Sequence, residues 1–275
     1  MQYTKNSAMG LGKLERKRLA VLLRQSNNTL SVTEATKILG LSAAQSVKIL
    51  ANLAKKGWLS RVCRGLYVPV PLESTADNIP IEYPLAVAEK LFTPCYIGGF
   101  TAAEHWSMTD QLFQTIIIMT QLKPKQRQLK IKNTEYQLHT IKPDLFFGLK
   151  IVWQNNVKVL ISDPTRTIID LINNSNLGGG LRSSIDILQT YFNSKEKNVP
   201  LLLNYLQKFN NGAIYKRLGF LLTKLFPAET QLIDFCRQHL TLGNAKLDPT
   251  LNCNKLITTW KLWVPANWKD NTKHD

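Results

Sequence analysis

The sequence predicts an α+β fold: a small helical module closed by a two-stranded basic ribbon, then a mixed α/β domain with a β-sheet and a helical C-terminal part. Three observations predict it. Helix-start signatures pair Ser31 with Glu34 and Ser42 with Gln45, each ahead of a short apolar-periodic stretch. Strand-type segments crowd residues 114–161, and helical periodicity dominates residues 164–240.

Residues 1–9 read as a loose leader. Gly10 to Gln25 reads as an amphipathic helix, with Leu11, Leu14, Leu19, Leu22 and Leu23 toward one side, broken by Ser26-Asn27-Asn28. Ser31 caps the next helix, whose apolar face is Val32, Ala35, Ile38 and Leu39. Gly40 stops it, and Leu41 pins the turn. Ser42 and Gln45 then open a second helix. In it Ala43, Val47, Leu50 and Ala54 are expected to pack inward, and Gln45, Lys48, Asn52 and Lys55 to share the opposite face. Gly57 ends that helix. Trp58–Val62 and Leu66–Val70 follow as strands around Cys63-Arg64-Gly65.

This is the pattern of a winged helix-turn-helix over residues 1–72. Amide and ammonium groups in one helical stripe suit the edges and phosphates of a major groove. The candidate DNA-contacting set is Ser42, Gln45, Ser46, Lys48, Ile49, Asn52 and Lys55, with Ile49 placed to touch a thymine methyl. Arg61 and Arg64, near the ribbon tip, are candidates for neighbouring phosphates or the minor groove. The competing reading is a protein-contact module with a solvated polar face. Charge favours DNA: residues 1–72 hold twelve Lys or Arg against two acids, a net of +10, whereas the rest holds 23 against 17, a net of +6.

A chain of 275 residues with 44% hydrophobic content has room for two cored domains. No apolar run approaches the ~20 residues that span a bilayer, and no apolar signal core opens the sequence, so a cytoplasmic protein is expected. Cys63, Cys95, Cys236 and Cys253 form no C-x-x-C pair, which speaks against a zinc ribbon or a disulfide framework. Cys236 and His239 can share a helix face, but two ligands make no metal site. No metal or cofactor is expected.

A linker is expected over residues 71–80, and a second domain over 80–275. A helix from Pro84 to Phe92 opens it. In "CYIGGFTAAEHWSMT", Gly98-Gly99 permits a sharp turn and Thr101 can cap a short helix; the Gly pair reads as a packing turn rather than an anion site. Strands are expected at Thr115–Met119, Tyr136–Ile141, Leu149–Trp153 and Val157–Ile161, the last two joined by a hairpin at Asn155-Asn156. From Lys123 to Lys132 the charges are all basic, fitting either a nucleic-acid surface or a lysine-guarded sheet edge. In "ISDPTRTIIDLI", Asp163 caps a helix with Pro164 at its first position, and Arg166 faces Asp170. That trio reads as a capped helix with an internal ion pair in preference to catalysis. Helices follow at Leu181–Phe192, Val199–Phe209, Ala213–Phe226 and Thr230–Leu240. Lys216, Arg217 and Lys224 form a ridge for an acidic partner or a solvated side, and "LITTWKLWV" returns to the sheet.

Several stretches together resemble the AbiEi family, the antitoxin half of abortive-infection (type IV) toxin–antitoxin pairs. They are "KKGWLSRVCRGLYVPVP", "YIGGFTAAEHWSMT", "ISDPTRTIIDLI" with its Gly run, "NNGAIYKRLGFLL" and "WKLWV", in the family's order from about residue 30 to 265. The resemblance implies a non-enzymatic protein whose winged helix represses its own operon at inverted repeats in double-stranded DNA. It implies a C-terminal domain that opposes a co-encoded nucleotidyltransferase-like toxin, with direct contact left open. Carried over by position, DNA contact falls to Gln45, Lys48, Asn52, Arg61 and Arg64. Antitoxin function falls to Arg166, Asp170, Lys216 and Arg217.

Two other readings stand beside it. A one-component regulator would sense a ligand through its second domain. A DNA-targeted nuclease finds only Pro143-Asp144, since Gly148-Leu149-Lys150 lacks the second carboxylate that a metal site needs.

Overall fold

Local capping chemistry sets the first helices. The computed structural model describes residues 10–26, 29–70, 84–154, 157–266 and 268. Helix α1 runs Lys13–Gln25, short strand β1 Leu30–Ser31, α2 Val32–Leu39 and α3 Ala43–Lys55. Ser31 Oγ accepts from Glu34 N at 3.1 Å while Ser31 N donates to the Glu34 carboxylate at 2.9 Å. Ser42 and Gln45 repeat the reciprocal pair at the head of α3. Between them Gly40 takes φ +62°, a left-handed turn that suits a residue without a Cβ. Strands β2 (Leu59–Cys63) and β3 (Leu66–Pro69) make the wing, and β1 pairs antiparallel with β3 to complete a three-stranded sheet. Leu19, Leu22, Leu30, Ala35, Leu50, Leu53, Leu59 and Tyr67 form the module's own core. In α1 only Leu19 and Leu22 are buried, whereas Leu14 and Leu23 stay in solvent, so the expected five-leucine face is narrower than its pattern suggested.

The remaining elements are α4 (Pro84–Phe92), β4 (Cys95–Ile97), α5 (Gly99–His105), β5 (Thr115–Thr120), β6 (Gln128–Ile131), β7 (Thr134–Thr140), β8 (Leu149–Gln154) and β9 (Val157–Ser162). After them come α6 (Pro164–Asn173), α7 (Leu181–Asn193), α8 (Val199–Phe209), α9 (Gly212–Leu225), α10 (Thr230–Gln238), β10 (Ala245–Lys246), β11 (Cys253–Ile257) and β12 (Leu262–Pro265). The larger sheet is mixed, in the order β6-β7-β5-β4-β9-β8. β5 runs parallel to β7, and β6 antiparallel to it.

Two compact units result. The first comprises residues 1–96, 114–140 and 151–160, and the second residues 97–113, 141–150 and 161–275. Strands of the 114–160 region thus group with the winged helix, not with the C-terminal helices. Within the first unit, Lys90 of α4 pairs with Glu34 of α2, and Tyr136 Oη of β7 donates to Pro84 O at 3.1 Å. The expected linker at 71–80 and the Asn155-Asn156 turn lie outside the described residues.

In the second unit, Asp163 caps α6 by accepting from Arg166 N at 2.7 Å, with Pro164 at the first helical position. The expected Thr101 cap is not formed, because α5 starts at Gly99 with Gly98 as its cap, which puts Thr101 inside the helix. The expected single C-terminal strand is also revised. A 3-10 turn at Thr258–Trp260 and left-handed Lys261 split it into β11 and β12, which form a separate three-stranded sheet with β10. Trp260 packs onto Gly219 of α9, where an added Cβ would lie 2.1 Å from the indole ring.

Candidate nucleic-acid interface

Helix α3 buries Ser46, Leu50 and Leu53, and this sets the phase of everything on its other side. Ser42, Gln45, Lys48, Asn52 and Lys55 are all exposed, as are Ala44 and Ala51 between them. Two members of the predicted set are corrected. Ser46 faces the core, with its hydroxyl buried and unpaired, and Ile49 is half-buried against the same core. Val47, expected inside, is 44% exposed.

The polar stripe is partly committed within the module. Gln45 Oε1 accepts from both Ser42 N and Ser42 Oγ at 3.1 Å, so its amide oxygen is used and its Nε2 remains the group with donors to offer. Asn52 Nδ2 donates to Glu15 Oε1 of α1 at 2.8 Å, which leaves its Oδ1 as an acceptor. The same Glu15 takes Lys56 Nζ at 2.6 Å and caps α1 through Gly12 N at 3.0 Å. The Lys56 and Gly12 bonds hold the Glu15 carboxyl below its ordinary pKa. Pattern reading missed Glu15, since nothing local links it to a helix 37 residues on.

Arg61 and Arg64 are exposed in the wing, Arg61 Nε donating to Cys63 O at 3.2 Å and Gly65 making the turn at φ +84°. The stripe and wing therefore carry Lys48, Lys55, Arg61 and Arg64 as exposed cations around amide donors and acceptors, the chemistry of phosphate and base-edge contact.

The second group of predicted residues does not form a surface. Arg166, Asp170, Lys216 and Arg217 are 0%, 1%, 3% and 7% exposed. Arg166 Nε donates to Asp170 Oδ1 at 3.0 Å and its Nη1 to Leu145 O and Phe147 O, with the guanidinium over the Phe147 ring. Arg217 donates to Ile172 O and Asn173 O, the last carbonyls of α6, and to Lys246 O. Lys216 Nζ reaches Gly243 O at 2.8 Å. Arg217 thus answers the end carbonyls of α6, which have no partner further along the helix, whereas Lys216 reaches out from the interior to a carbonyl of an exposed turn. The expected basic ridge is thus structural, apart from exposed Lys224.

Burial pushes the Cys95 and Cys236 thiols up to about 12. Among the described residues no three His, Cys, Asp or Glu side chains gather as a metal site, and no helix is long and apolar enough to cross a membrane.

Residues 17–70 match the family model described as transcriptional regulator, AbiEi antitoxin. This AbiEi match covers the winged helix and stops before α4. No curated protein matches the chain. Among solved structures, the RV2827C protein from Mycobacterium tuberculosis is similar over 95% of this chain and 94% of its own, at 14% identity and a TM-score of 0.61. At that identity the likeness is one of fold.

Proposed function

We propose that this protein is a DNA-binding antitoxin and autorepressor of a toxin–antitoxin operon, without catalytic activity of its own, acting in the cytoplasm against a co-encoded nucleotidyltransferase-like toxin. The observation that carries the reading is the outward stripe of Gln45, Lys48, Asn52 and Lys55 on α3, inside the segment that matches the AbiEi model. Net charge supports it, since the basic excess concentrates on the same module. The operator is expected to be duplex DNA with inverted repeats. The residue-level candidates are Ser42, Gln45, Lys48, Asn52, Lys55, Arg61 and Arg64.

The test has two arms. Footprinting of purified protein on the DNA upstream of its own gene should give protection at an inverted repeat. Co-expression with the adjacent reading frame should relieve that frame's toxicity. Absence of protection at any salt rejects the repressor half, and unrelieved toxicity rejects the antitoxin half.

A further inference from the structure

The loop between β5 and β6 has no part in the site above. Lys123, Lys125 and Arg127 stand in it, all three exposed, and no acid occurs from Gln121 to Asn133. Among the described residues none of the three forms an ion pair. The loop is tied down at its two ends. Gln121 N donates to Pro94 O at 3.0 Å, Leu122 N to Thr120 Oγ1 at 3.0 Å, Thr140 Oγ1 to Leu122 O at 3.2 Å and Leu138 N to Arg127 O at 2.7 Å.

A guard for the sheet edge accounts for Lys130, which projects from outer strand β6 opposite Glu135 at 3.8 Å. It does not account for Lys123 and Lys125, which precede the paired strand where no edge needs guarding. Three exposed cations within five residues, with no acid among them, form a positive patch of the sign that attracts a polyanion. The loop shares its compact unit with the winged helix, through Tyr136 to Pro84 and Lys90 to Glu34.

We propose that Lys123, Lys125 and Arg127 form a second phosphate-contact surface, engaging duplex DNA that flanks the stretch held by the winged helix. This rests on the DNA-binding reading above. Its test uses the full chain, with all three residues changed to Gln, and two random-sequence duplexes differing by two helical turns of ~10 base pairs each. Affinity is measured by fluorescence anisotropy across a salt series. On the longer duplex the variant should show a salt slope shallower by about 2–3, at ~0.9 per lost phosphate contact, and the difference should shrink on the short duplex. Lys130→Gln should instead keep the slope and increase self-association in light scattering. Equal slopes and affinities on both duplexes overturn the inference, as does a loss seen only with single-stranded RNA. If the parent protein binds neither duplex, the underlying DNA-binding reading fails and takes the inference with it.

Discussion

Asn52 Nδ2 lies 2.8 Å from Glu15 Oε1, so a carboxylate from α1 stands at one border of the polar stripe on α3. Glu15 holds Lys56 by the same group, so one carboxylate engages both a cation and an amide donor at the C-terminal half of α3. Glu15→Gln removes a negative charge from the neighbourhood of incoming phosphates and releases Lys56. DNA affinity should rise, and the salt slope should steepen by up to about 0.9 for one added contact. Titrations at several salt concentrations measure both; an unchanged slope would show that Lys56 stays out of reach.

Glu34 is the second carboxylate of the module. Burial favours its neutral form, but the Lys90 ammonium and the Ser31 donors outweigh that and hold its pKa below the ordinary value. A carboxyl depressed by folding stabilises the native state above its unfolded pKa of about 4.3, and that contribution disappears as pH falls through the folded value. Glu34→Gln should therefore flatten the acid limb of the stability-against-pH curve while leaving its neutral-to-alkaline shape alone. Thermal melts across that range give the answer, and a variant that keeps the full acid limb refutes the assignment.

Ser46 offers the opposite case, a polar group that the fold does not use. Its hydroxyl is buried and unpaired, which costs about 1–3 kcal/mol relative to an apolar group of similar size. Ser46→Ala should raise stability by about 1 kcal/mol in urea denaturation. Because the side chain faces Leu50 and Leu53, DNA affinity should not move. A drop in affinity with unchanged stability would put Ser46 back on the DNA face.

Arg166 and Asp170 form a buried pair that is expensive to break from one side. Asp170→Ala removes the carboxylate that faces a fully buried guanidinium, at a cost of about 3–5 kcal/mol. Replacing both residues by apolar ones of similar volume should cost less than that single change. A double-mutant cycle on the melting curves decides it, and additive losses would contradict the coupling.

How much of this was legible beforehand follows the range of each interaction. Ser31 with Glu34, Gly40, Ser42 with Gln45, and Asp163 with Pro164 are signals spanning four residues or fewer, and each one forms as read. The phase of α3 differs by one residue from the pattern, because Val47 looks like core and Ser46 does not, yet Ser46 lies on the face shared with Leu50 and Leu53. For Lys216 and Arg217 the sequence suggests an outward face, since cations ordinarily face solvent. Their carbonyl partners lie 26 to 45 residues away, where no periodicity reports them. Glu15 and the split of the last strand at Thr258–Trp260 belong to the same class of distant or turn-specific effects.

The most direct measurement is the affinity of a Gln45→Ala, Lys48→Ala, Asn52→Ala triple variant for the upstream DNA, compared with the parent protein at one salt concentration. All three side chains are exposed, so the variant should stay folded, with a melting temperature lowered modestly by loss of the Gln45 bonds to Ser42 and the Asn52 bond to Glu15. The account predicts that specific binding is lost and only weak, salt-sensitive association remains. Parent-like affinity in a folded triple variant would contradict the claim that this face of α3 reads DNA.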